Sequence, residues 1–541
     1  MHSRTGRWIF LIVLFLGVLG FTGLWYLVPQ DAEETEPDFG GGYVEGIAGV
    51  PARVNPLFAA ENTVDATLSA LVFAGLTRLD ENGLAFPDLA QTWTISPDGT
   101  LYTFTLRPGL LWHDGVPLTA DDVVFTYELL QSPDLRNAPD LRHKLASAVF
   151  SRLDDTTITI EILEPYAPLP AYLTLGILPA HLLRDTAPQA LYDAPFNQRP
   201  IGAGAYRVET VALDRAELVA NPGYHFEQAF IQRLQLRFYP DDGALFDALQ
   251  REEVNGALFG SGLGPSDILE LQQQEELRTT ALDKGEITYV YFNLDLPLFD
   301  DRRLRQALLY AIDRDALIRD VLRGQASRAD SPITPGSWAY SPSLTRYAVD
   351  PGLAGLLFDE AGWLKGDDGI RRKGDTTLAF TLTTGPDPVR IAVSQRVADA
   401  WNALGAVVTV QSSGLTTLVR DTIEQRDFEA LLFIDAAKPD PDPYEMWHSR
   451  SWDGQGGNLA QFSHAGVDAL LVEARSSSVP RRGELYDEFQ ELFAQEVPSI
   501  PLYVSRALYV QDVDLSGVRV GQLADPGNRF WQVQEWFLKT R

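Results

Sequence analysis

The chain has 541 residues, with 44 Lys and Arg against 74 Asp and Glu, a formal net charge of −30, and no cysteine. Because single hydrophobic cores stop growing near ~250–300 residues, we expect two or three domains. The charge argues against nucleic acid as a partner, since binding phosphates requires a basic surface. The missing cysteines exclude disulfides, thiol catalysis and Cys-ligated zinc.

The first residues have the pattern of a membrane segment. Arg4 and Arg7 precede residues 8–28, which carry no charge and would form a helix about 30 Å long, enough to span a bilayer. The Lys/Arg bias places residues 1–7 in the cytoplasm and the rest outside. A cleaved signal peptide is the alternative, but its apolar region is typically ~7–15 residues. We therefore predict an uncleaved transmembrane anchor in the cell membrane, followed by an acidic flexible tether over residues 29–42.

The first elements of the folded part are a hairpin and a helix. Apolar and polar residues alternate over residues 93–96 and 101–107, and Pro97-Asp98-Gly99-Thr100 between them has turn chemistry. Thr119 precedes a helical pattern over residues 120–130, whose first turn is acidic, as the helix dipole favours.

Strands and helices then alternate, which predicts a mixed α/β fold. The expected strands cover residues 287–294 and 407–411. The expected helices cover residues 302–312, 314–323, 351–361, 389–404 and 485–493. The helix over residues 389–404 has the most regular apolar stripe, with Trp401 in it, and Gly405 ends it.

An ordered series of short motifs runs through the chain. Its members are Gly75-Leu76-Thr77, Leu79-Asp80, Pro87-Asp88-Leu89-Ala90, Ser96-Pro97-Asp98-Gly99-Thr100, Tyr102-Thr103-Phe104-Thr105-Leu106-Arg107, Trp112-His113-Asp114-Gly115, Leu118-Thr119-Ala120-Asp121-Asp122-Val123, Pro200-Ile201-Gly202-Ala203-Gly204-Ala205-Tyr206, Asn221-Pro222-Gly223-Tyr224, Phe292-Asn293, Tyr310-Ala311-Ile312-Asp313-Arg314, Glu360-Ala361-Gly362-Trp363 and Pro498-Ser499-Ile500-Pro501-Leu502. This order resembles family 5 of the bacterial extracellular solute-binding proteins, the oligopeptide-, dipeptide- and nickel-binding components of ABC importers. Many of these residues are turn formers or apolar, so they indicate the architecture more than the solute site.

The resemblance implies an α/β fold of the periplasmic-binding-protein type (class II), with two lobes and an extra domain inserted in the first lobe. Lobe I would comprise residues 43–73, 196–286 and 498–541, the inserted domain residues 74–195, and lobe II residues 287–497. The solute would be enclosed between the lobes by hinge closure.

The implied function is that of an extracytoplasmic receptor, a monomer, that captures a peptide or similar polar solute and delivers it to ABC permease subunits. The sequence has no G-x-S-x-G elbow, P-loop or H-E-x-x-H motif, so we do not expect an enzyme, a cofactor or a metal site. Three alternatives remain open: a membrane-anchored sensing or interaction module with the same fold, uptake of a chelated metal such as nickel, and an anchored hydrolase.

Two segments are candidates for the solute cleft. The first contains Glu61 and Asn62, and the second runs from the strand at residues 428–435 into the loop at residues 436–447. In peptide-binding relatives the second region supplies an Asp that pairs with the α-ammonium of the peptide. Here the aligned position falls near Lys438, with Asp435 and Asp440 close by, so a Lys could face an anionic solute; a solvated surface loop is the alternative.

Three further side chains complete the set of candidates. Asn293 belongs to the central motif, and Trp338 and Trp452 lie in polar loops rich in Gly and Ser, where an aromatic ring could contact solute. We expect Trp93, Trp112, Trp363 and Trp401 to lie in the core.

Overall fold

A computed structural model describes residues 39–137, 139, 141–260, 262–436, 438–452 and 457–539. The predicted anchor at residues 8–28 and most of the tether lie outside these ranges. Within the described ranges, no helix has the length and apolar character needed to cross a bilayer. The first strand begins at Gly42, inside the predicted tether, and Phe39 packs on Phe230 with ring centroids 4.7 Å apart.

The α-helices of the described residues are numbered in chain order. They are α1 (Thr63–Val72), α2 (Ala120–Gln131), α3 (Leu141–Lys144), α4 (Leu169–Tyr172), α5 (Ala180–Leu183), α6 (Asp242–Gln250), α7 (Pro265–Gln273), α8 (Arg302–Tyr310), α9 (Arg314–Asp320), α10 (Pro351–Glu360), α11 (Pro388–Ala403), α12 (Leu415–Thr417), α13 (Tyr444–Trp447), α14 (Ala465–Arg475) and α15 (Val479–Glu496). A π-helical turn at Leu418–Ile423 continues α12. Short 3₁₀ helices cover Ala59–Glu61, Pro188–Asp193, Pro195–Gln198, Pro297–Phe299, Ser449–Trp452, Pro526–Phe530 and Val533–Glu535.

The strands are numbered in the same way. They are β1 (Gly42–Ala48), β2 (Thr77–Leu79), β3 (Ala85–Pro87), β4 (Ala90–Ile95), β5 (Leu101–Leu106), β6 (Val149–Arg152), β7 (Thr157–Glu161), β8 (Tyr206–Val211), β9 (Arg215–Ala220), β10 (Arg233–Tyr239), β11 (Gly256–Phe259), β12 (Leu277–Phe292), β13 (Ala326–Arg328), β14 (Leu364–Lys365), β15 (Arg371–Lys373), β16 (Thr376–Thr377), β17 (Ala379–Thr384), β18 (Val407–Ser412), β19 (Ala430–Asp435), β20 (Ser499–Asp512), β21 (Leu515–Ser516) and β22 (Phe537–Leu538).

One mixed sheet of eleven strands runs through both lobes. Its order is β18-β17-β19-β12-β20-β11-β1-β10-β9-β8, and β13 also pairs with β20. The long antiparallel strands β12 and β20 pair along most of their length. They connect the lobe I end of the sheet, which contains β1 and β8 to β11, to the lobe II end, which contains β17 to β19. Their register shifts between Asp283 and Ile287, where Gly285 has a φ of 71° that favours glycine. The crossing strands thus have an irregular point between the lobes.

The apolar cores follow the same division. One large core packs the lobe I strands together with residues of the predicted inserted segment, while two cores cover the opposite faces of the lobe II sheet. Trp401 is fully buried on α11, as its helical spacing predicts, and its indole N–H donates to the Leu308 carbonyl at 2.8 Å. Val389 was expected in the same stripe, but it lies in the first turn of α11 and is 49% exposed; the buried stripe begins at Val393.

The segment at residues 74–195 has a sheet of its own. It contains the antiparallel sheet β4-β5-β7-β6, and α2 lies against β6 and β7. The predicted hairpin is β4 and β5, paired across Pro97-Asp98-Gly99-Thr100. The segment nevertheless shares one continuous apolar core with lobe I, so it packs as part of that half of the molecule.

Candidate functional site

A cavity of about 920 Å³ lies between the two lobes. Most of the described residues that line it come from three parts of the chain: the lobe I side, within residues 56–79 and 524–533, the four-stranded segment, within residues 137–176, and the lobe II loop, within residues 436–445. The volume is in the range of pockets that enclose a small solute, ~300–1,000 Å³. A pocket with walls from three separate parts of the chain can enclose a ligand on several sides.

A second, smaller cavity of about 80 Å³ adjoins the first on the lobe II side. Leu79, Lys438, Pro439 and Asn528 border both cavities. The second cavity also borders Gly285, at the irregular point of the crossing strands. The two cavities therefore form one cleft that reaches the junction between the lobes.

Direct contacts join the two sides of this cleft. Lys144 Nζ of α3 lies 2.5 Å from Glu445 Oε1 of α13, and Ala167 N–H donates to the Arg475 carbonyl at 2.7 Å. The Arg475 guanidinium lies 5.2 Å from the ring centroid of Tyr166. Lys144 lowers the pKa of Glu445 through its hydrogen bond and charge, although burial of this carboxyl acts in the opposite direction. These contacts connect the four-stranded segment of the lobe I side to lobe II across the cleft.

The acidic loop after β19 is fully engaged in ion pairs. Asp435 lies 3.4 Å from Lys438 Nζ, and Asp442 accepts a hydrogen bond from Arg475 Nε at 2.8 Å. Asp440 is buried against Arg482 of α15, whose Nη1 lies 3.0 Å from Oδ2 and whose Nη2 donates to the other oxygen. Burial raises the pKa of Asp440, and the Arg482 charge opposes that rise. Each of these carboxylates already has a cation, so an incoming ammonium would have to displace one.

The sequence placed several candidate residues at this cleft, and the structure locates each of them. Glu61 borders the large cavity, Asp435 and Asp440 border the small one, and Lys438 borders both. Asn62 caps α1, where its side chain accepts from Asp65 N–H at 2.8 Å, and it is not among the described residues lining either cavity. Its side chain is used for folding rather than turned toward the cavity.

The remaining three candidates, Asn293, Trp338 and Trp452, are not among the described residues that line the large cavity. Asn293 is buried at the end of β12, where its amide donates to the Phe428 carbonyl at 2.9 Å. Trp338 packs over Arg482 at 5.0 Å, and its backbone N–H donates to the Asn82 carbonyl. The side chain of Trp452 lies outside the described residues.

Other cleft residues carried no local sequence signal for that role. Arg78, Tyr172, Tyr224 and the segment at residues 524–533 all border the large cavity. Gly75, Thr77, Leu79 and Asp88 of the first motifs border it too, although these motifs were expected to indicate the architecture more than the solute site. These positions are far apart in sequence, and only the topology brings them together.

Comparison with known proteins decides the family. The family model for bacterial extracellular solute-binding proteins, family 5 (Middle), matches residues 85–457. The chain belongs to this family. That assignment confirms the resemblance drawn from the ordered motifs and the two-lobed, mixed α/β fold expected from it.

Similar proteins support the same assignment over most of the chain. The oligopeptide-binding protein AppA of Bacillus subtilis is 25% identical over 512 residues, which cover 93% of this chain and 92% of that protein. The dipeptide-binding protein of Escherichia coli is 27% identical over 492 residues, covering 84% and 87%. NikZ from Campylobacter jejuni, solved in complex with Ni(L-His), is 27% identical with a TM-score of 0.68 and coverage of 92% and 99%. HbpA2 from Haemophilus parasuis has a TM-score of 0.81 at 23% identity, covering 92% and 100%, and shows the shared fold.

Proposed function

We propose that this protein is the receptor of an ABC importer, that it captures a peptide or similar polar solute between its lobes, and that it delivers the solute to membrane permease subunits. The observation that carries the proposal is the 920 Å³ cavity between lobes joined by direct contacts on its rim. Family membership supports it, as do relatives described as oligopeptide- and dipeptide-binding.

Closure about the crossing strands would explain how solute enters. The register shift between Asp283 and Ile287 and the positive φ of Gly285 lie where β12 and β20 pass between the lobes. Hinge motions use a few residues that absorb a large change in φ and ψ. We further propose that the receptor acts as a monomer without catalysing a reaction, and that residues 74–195, with their own sheet, form an insertion in lobe I.

We also keep the membrane anchor as a proposal. It rests on the uncharged stretch at residues 8–28 with Arg4 and Arg7 before it and an acidic segment after it. It would hold the folded part at the outer face of the cell membrane.

Uptake of a chelated metal is a second candidate, favoured by the similarity to NikZ in complex with Ni(L-His). In the described part of the chain, no group of three or more His, Cys, Asp or Glu side chains could hold a metal ion. A metal would therefore have to enter with ligands of its own.

Mass spectrometry of solute that co-purifies with the full chain tests both candidates. We expect a retained peptide or polar oligomer, and saturating solute should stabilise the protein by about 2.7 kcal/mol at a hundredfold excess over Kd. A retained metal chelate would favour the second candidate. Absence of any retained solute, together with no thermal shift against peptide, sugar and metal-chelate panels, would refute both.

A further inference from the structure

The acidic groups that border the large cavity are all engaged. Glu61 accepts a hydrogen bond from the Tyr192 hydroxyl at 3.1 Å, and Asp88 lies 2.7 Å from His225 Nε2. Glu445 pairs with Lys144, and Asp525 accepts from Gly527 N–H at 2.7 Å. Each of these carboxylates therefore already has a hydrogen-bond or ion-pair partner. None of them depends on a cationic solute to supply one.

Arg78 differs from these groups. It borders the same cavity, and no carboxylate of a described residue lies within ion-pair distance of it. Its Nη1 donates to the Trp531 carbonyl at 2.9 Å, while its buried Nε has no hydrogen-bond partner among the described residues. The guanidinium can donate five hydrogen bonds, so most of its capacity remains available.

Aromatic rings hold the Arg78 guanidinium in place. Its central carbon lies 4.1 Å from the ring centroid of Phe226 and 4.6 Å from that of Phe86. Stacking of this kind fixes the plane of an arginine without neutralising its charge. A fixed plane reduces the conformational entropy that binding would otherwise cost.

A second arginine adds to the positive potential. The guanidinium of Arg107 lies 4.5 Å from the same Phe226 ring, and its Nε donates to the Asp88 backbone carbonyl at 2.7 Å. Arg107 also has no described carboxylate within ion-pair distance. Arg107 is not among the residues that line the cavity, but with Asp88 held by His225 the two cations around one ring make the surroundings of Arg78 positive in a protein whose net charge is −30.

We propose that Arg78 binds an oxyanion of the solute, a carboxylate or a phosphate monoester, and so selects anionic solutes at the lobe I side of the cleft. The proposal rests on the proposed solute-receptor function and names the chemistry of its ligand. A half-buried charge without a counter-ion is unfavourable, and two oxygens of a carboxylate or phosphate match the arginine fork with two parallel hydrogen bonds. The fully paired acidic loop on the opposite side fits the same assignment, because it offers no free carboxylate to an ammonium.

The experiment compares matched solutes on the full chain, purified in mild detergent. One randomised tetrapeptide pool without Asp or Glu has free carboxyl termini, a second is the same pool amidated, and a third mixture contains phosphate monoesters. Members retained in native mass spectrometry are then titrated individually by calorimetry. The variants are Arg78→Gln, Arg78→Lys, and the control Arg136→Gln, which removes an exposed arginine that also stacks on a ring but is paired with Asp193.

For the wild type we expect a peptide with a free carboxyl terminus, or a phosphate monoester, to bind roughly ten- to a hundredfold more tightly than its neutral counterpart. The pool from which solutes are retained identifies the source of the oxyanion. Arg78→Gln should reduce this ratio to about one, Arg78→Lys should keep part of it, and Arg136→Gln should leave it unchanged. The ratio is measured within each variant, so a loss of folded protein does not alter it.

Equal binding of amidated and free peptides by the wild type with no retained phosphate monoester, or an unchanged ratio in Arg78→Gln, overturns the role of Arg78 but leaves the receptor function intact. Retention of no member of any pool overturns the proposal for Arg78, and the receptor function falls with it only if the sugar and metal-chelate panels also give no thermal shift and no solute co-purifies.

Discussion

His113 couples the stability of the fold to pH. Its neutral ring is held on both sides: Nε2 donates to the Gly204 carbonyl at 3.1 Å, and Nδ1 accepts from Gly202 N–H at 3.3 Å. Protonation would put a proton on Nδ1, facing the Gly202 N–H, in a buried site. Burial accordingly lowers the pKa of His113 from 6.5 to about 4.

The sign and size of the effect follow from this pKa. Between pH 6.5 and about 4 the unfolded chain binds a proton at this position and the folded chain does not, so stability falls as pH falls through that window. The difference between the unfolded and folded pKa values, at about 1.4 kcal/mol for each unit, corresponds to a change of roughly 3 kcal/mol in the free energy of unfolding. Above pH 6.5 the contribution is complete, and below pH 4 the loss is complete.

The test replaces His113 with Gln, whose amide can donate to Gly204 and accept from Gly202 without titrating. Urea midpoints of the full chain are measured by tryptophan fluorescence between pH 7 and pH 4, because midpoints remain comparable when lobes unfold separately. We expect the midpoint to fall less steeply in His113→Gln than in the wild type, while the exposed control His143→Gln follows the wild type. Parallel curves for wild type and His113→Gln would refute the linkage.

Three further predictions concern contacts elsewhere in the fold. Asp440→Asn should destabilise the protein by about 3–5 kcal/mol, because it leaves Arg482 buried without its carboxylate. In urea denaturation, the double variant with Arg482→Met should recover part of this loss. Additive losses of stability in the double variant would contradict the pairing. Gly202→Ala should lower the thermal midpoint, because a Cβ there would overlap the Val72 carbonyl. The control Gly483→Ala in α15 places its Cβ in open space and should not lower the midpoint. Equal midpoints for the two variants would contradict the close approach of Gly202 to the Val72 backbone. Lys144→Met should increase the dissociation rate of the native solute, because it removes a contact between the lobes. The rate is measured by surface plasmon resonance. An unchanged rate would show that this contact does not hold the lobes together.

Local signals in the sequence were sufficient for the hairpin at residues 93–107 and for the helices predicted from residues 120, 302, 314, 351 and 389, all of which the structure contains. The helices expected from residues 314 and 351 are α9 and α10, and the side chains of the preceding Asp313 and Asp350 accept from Ala316 and Leu353 N–H at their starts. Such caps act within four residues and can be read from sequence. Element ends were less accurate: the late helix expected at residues 485–493 spans Val479–Glu496, because its exposed first turn has no apolar stripe.

The cleft could be predicted only where neighbouring residues signalled it. The segment at Glu61 and the loop at Lys438 were expected there and do border it. Arg78, Tyr224 and Asp525 were missed, because the first precedes the others by about 150 and 450 residues and no periodicity connects them. Their meeting depends on sheet topology, in which the C-terminal segment returns to lobe I after β20.

If Arg78 binds the solute as proposed, the recognisable motifs and the solute chemistry are set by different residues of the same segments. His113 of one motif is bonded to Gly202 and Gly204 of another, so these residues join two parts of the chain and are constrained by each other. Arg78 follows directly after Gly75-Leu76-Thr77, where Gly75 lies against the Thr174 backbone and the Thr77 hydroxyl donates to a buried carbonyl. The motif fixes the position from which the next side chain reaches the cavity, and the Arg78 guanidinium is then held there by Phe86 and Phe226. Substitution at such a position can change the ligand without changing the fold, and this is why the architecture could be read from the motifs and the charge of the solute could not.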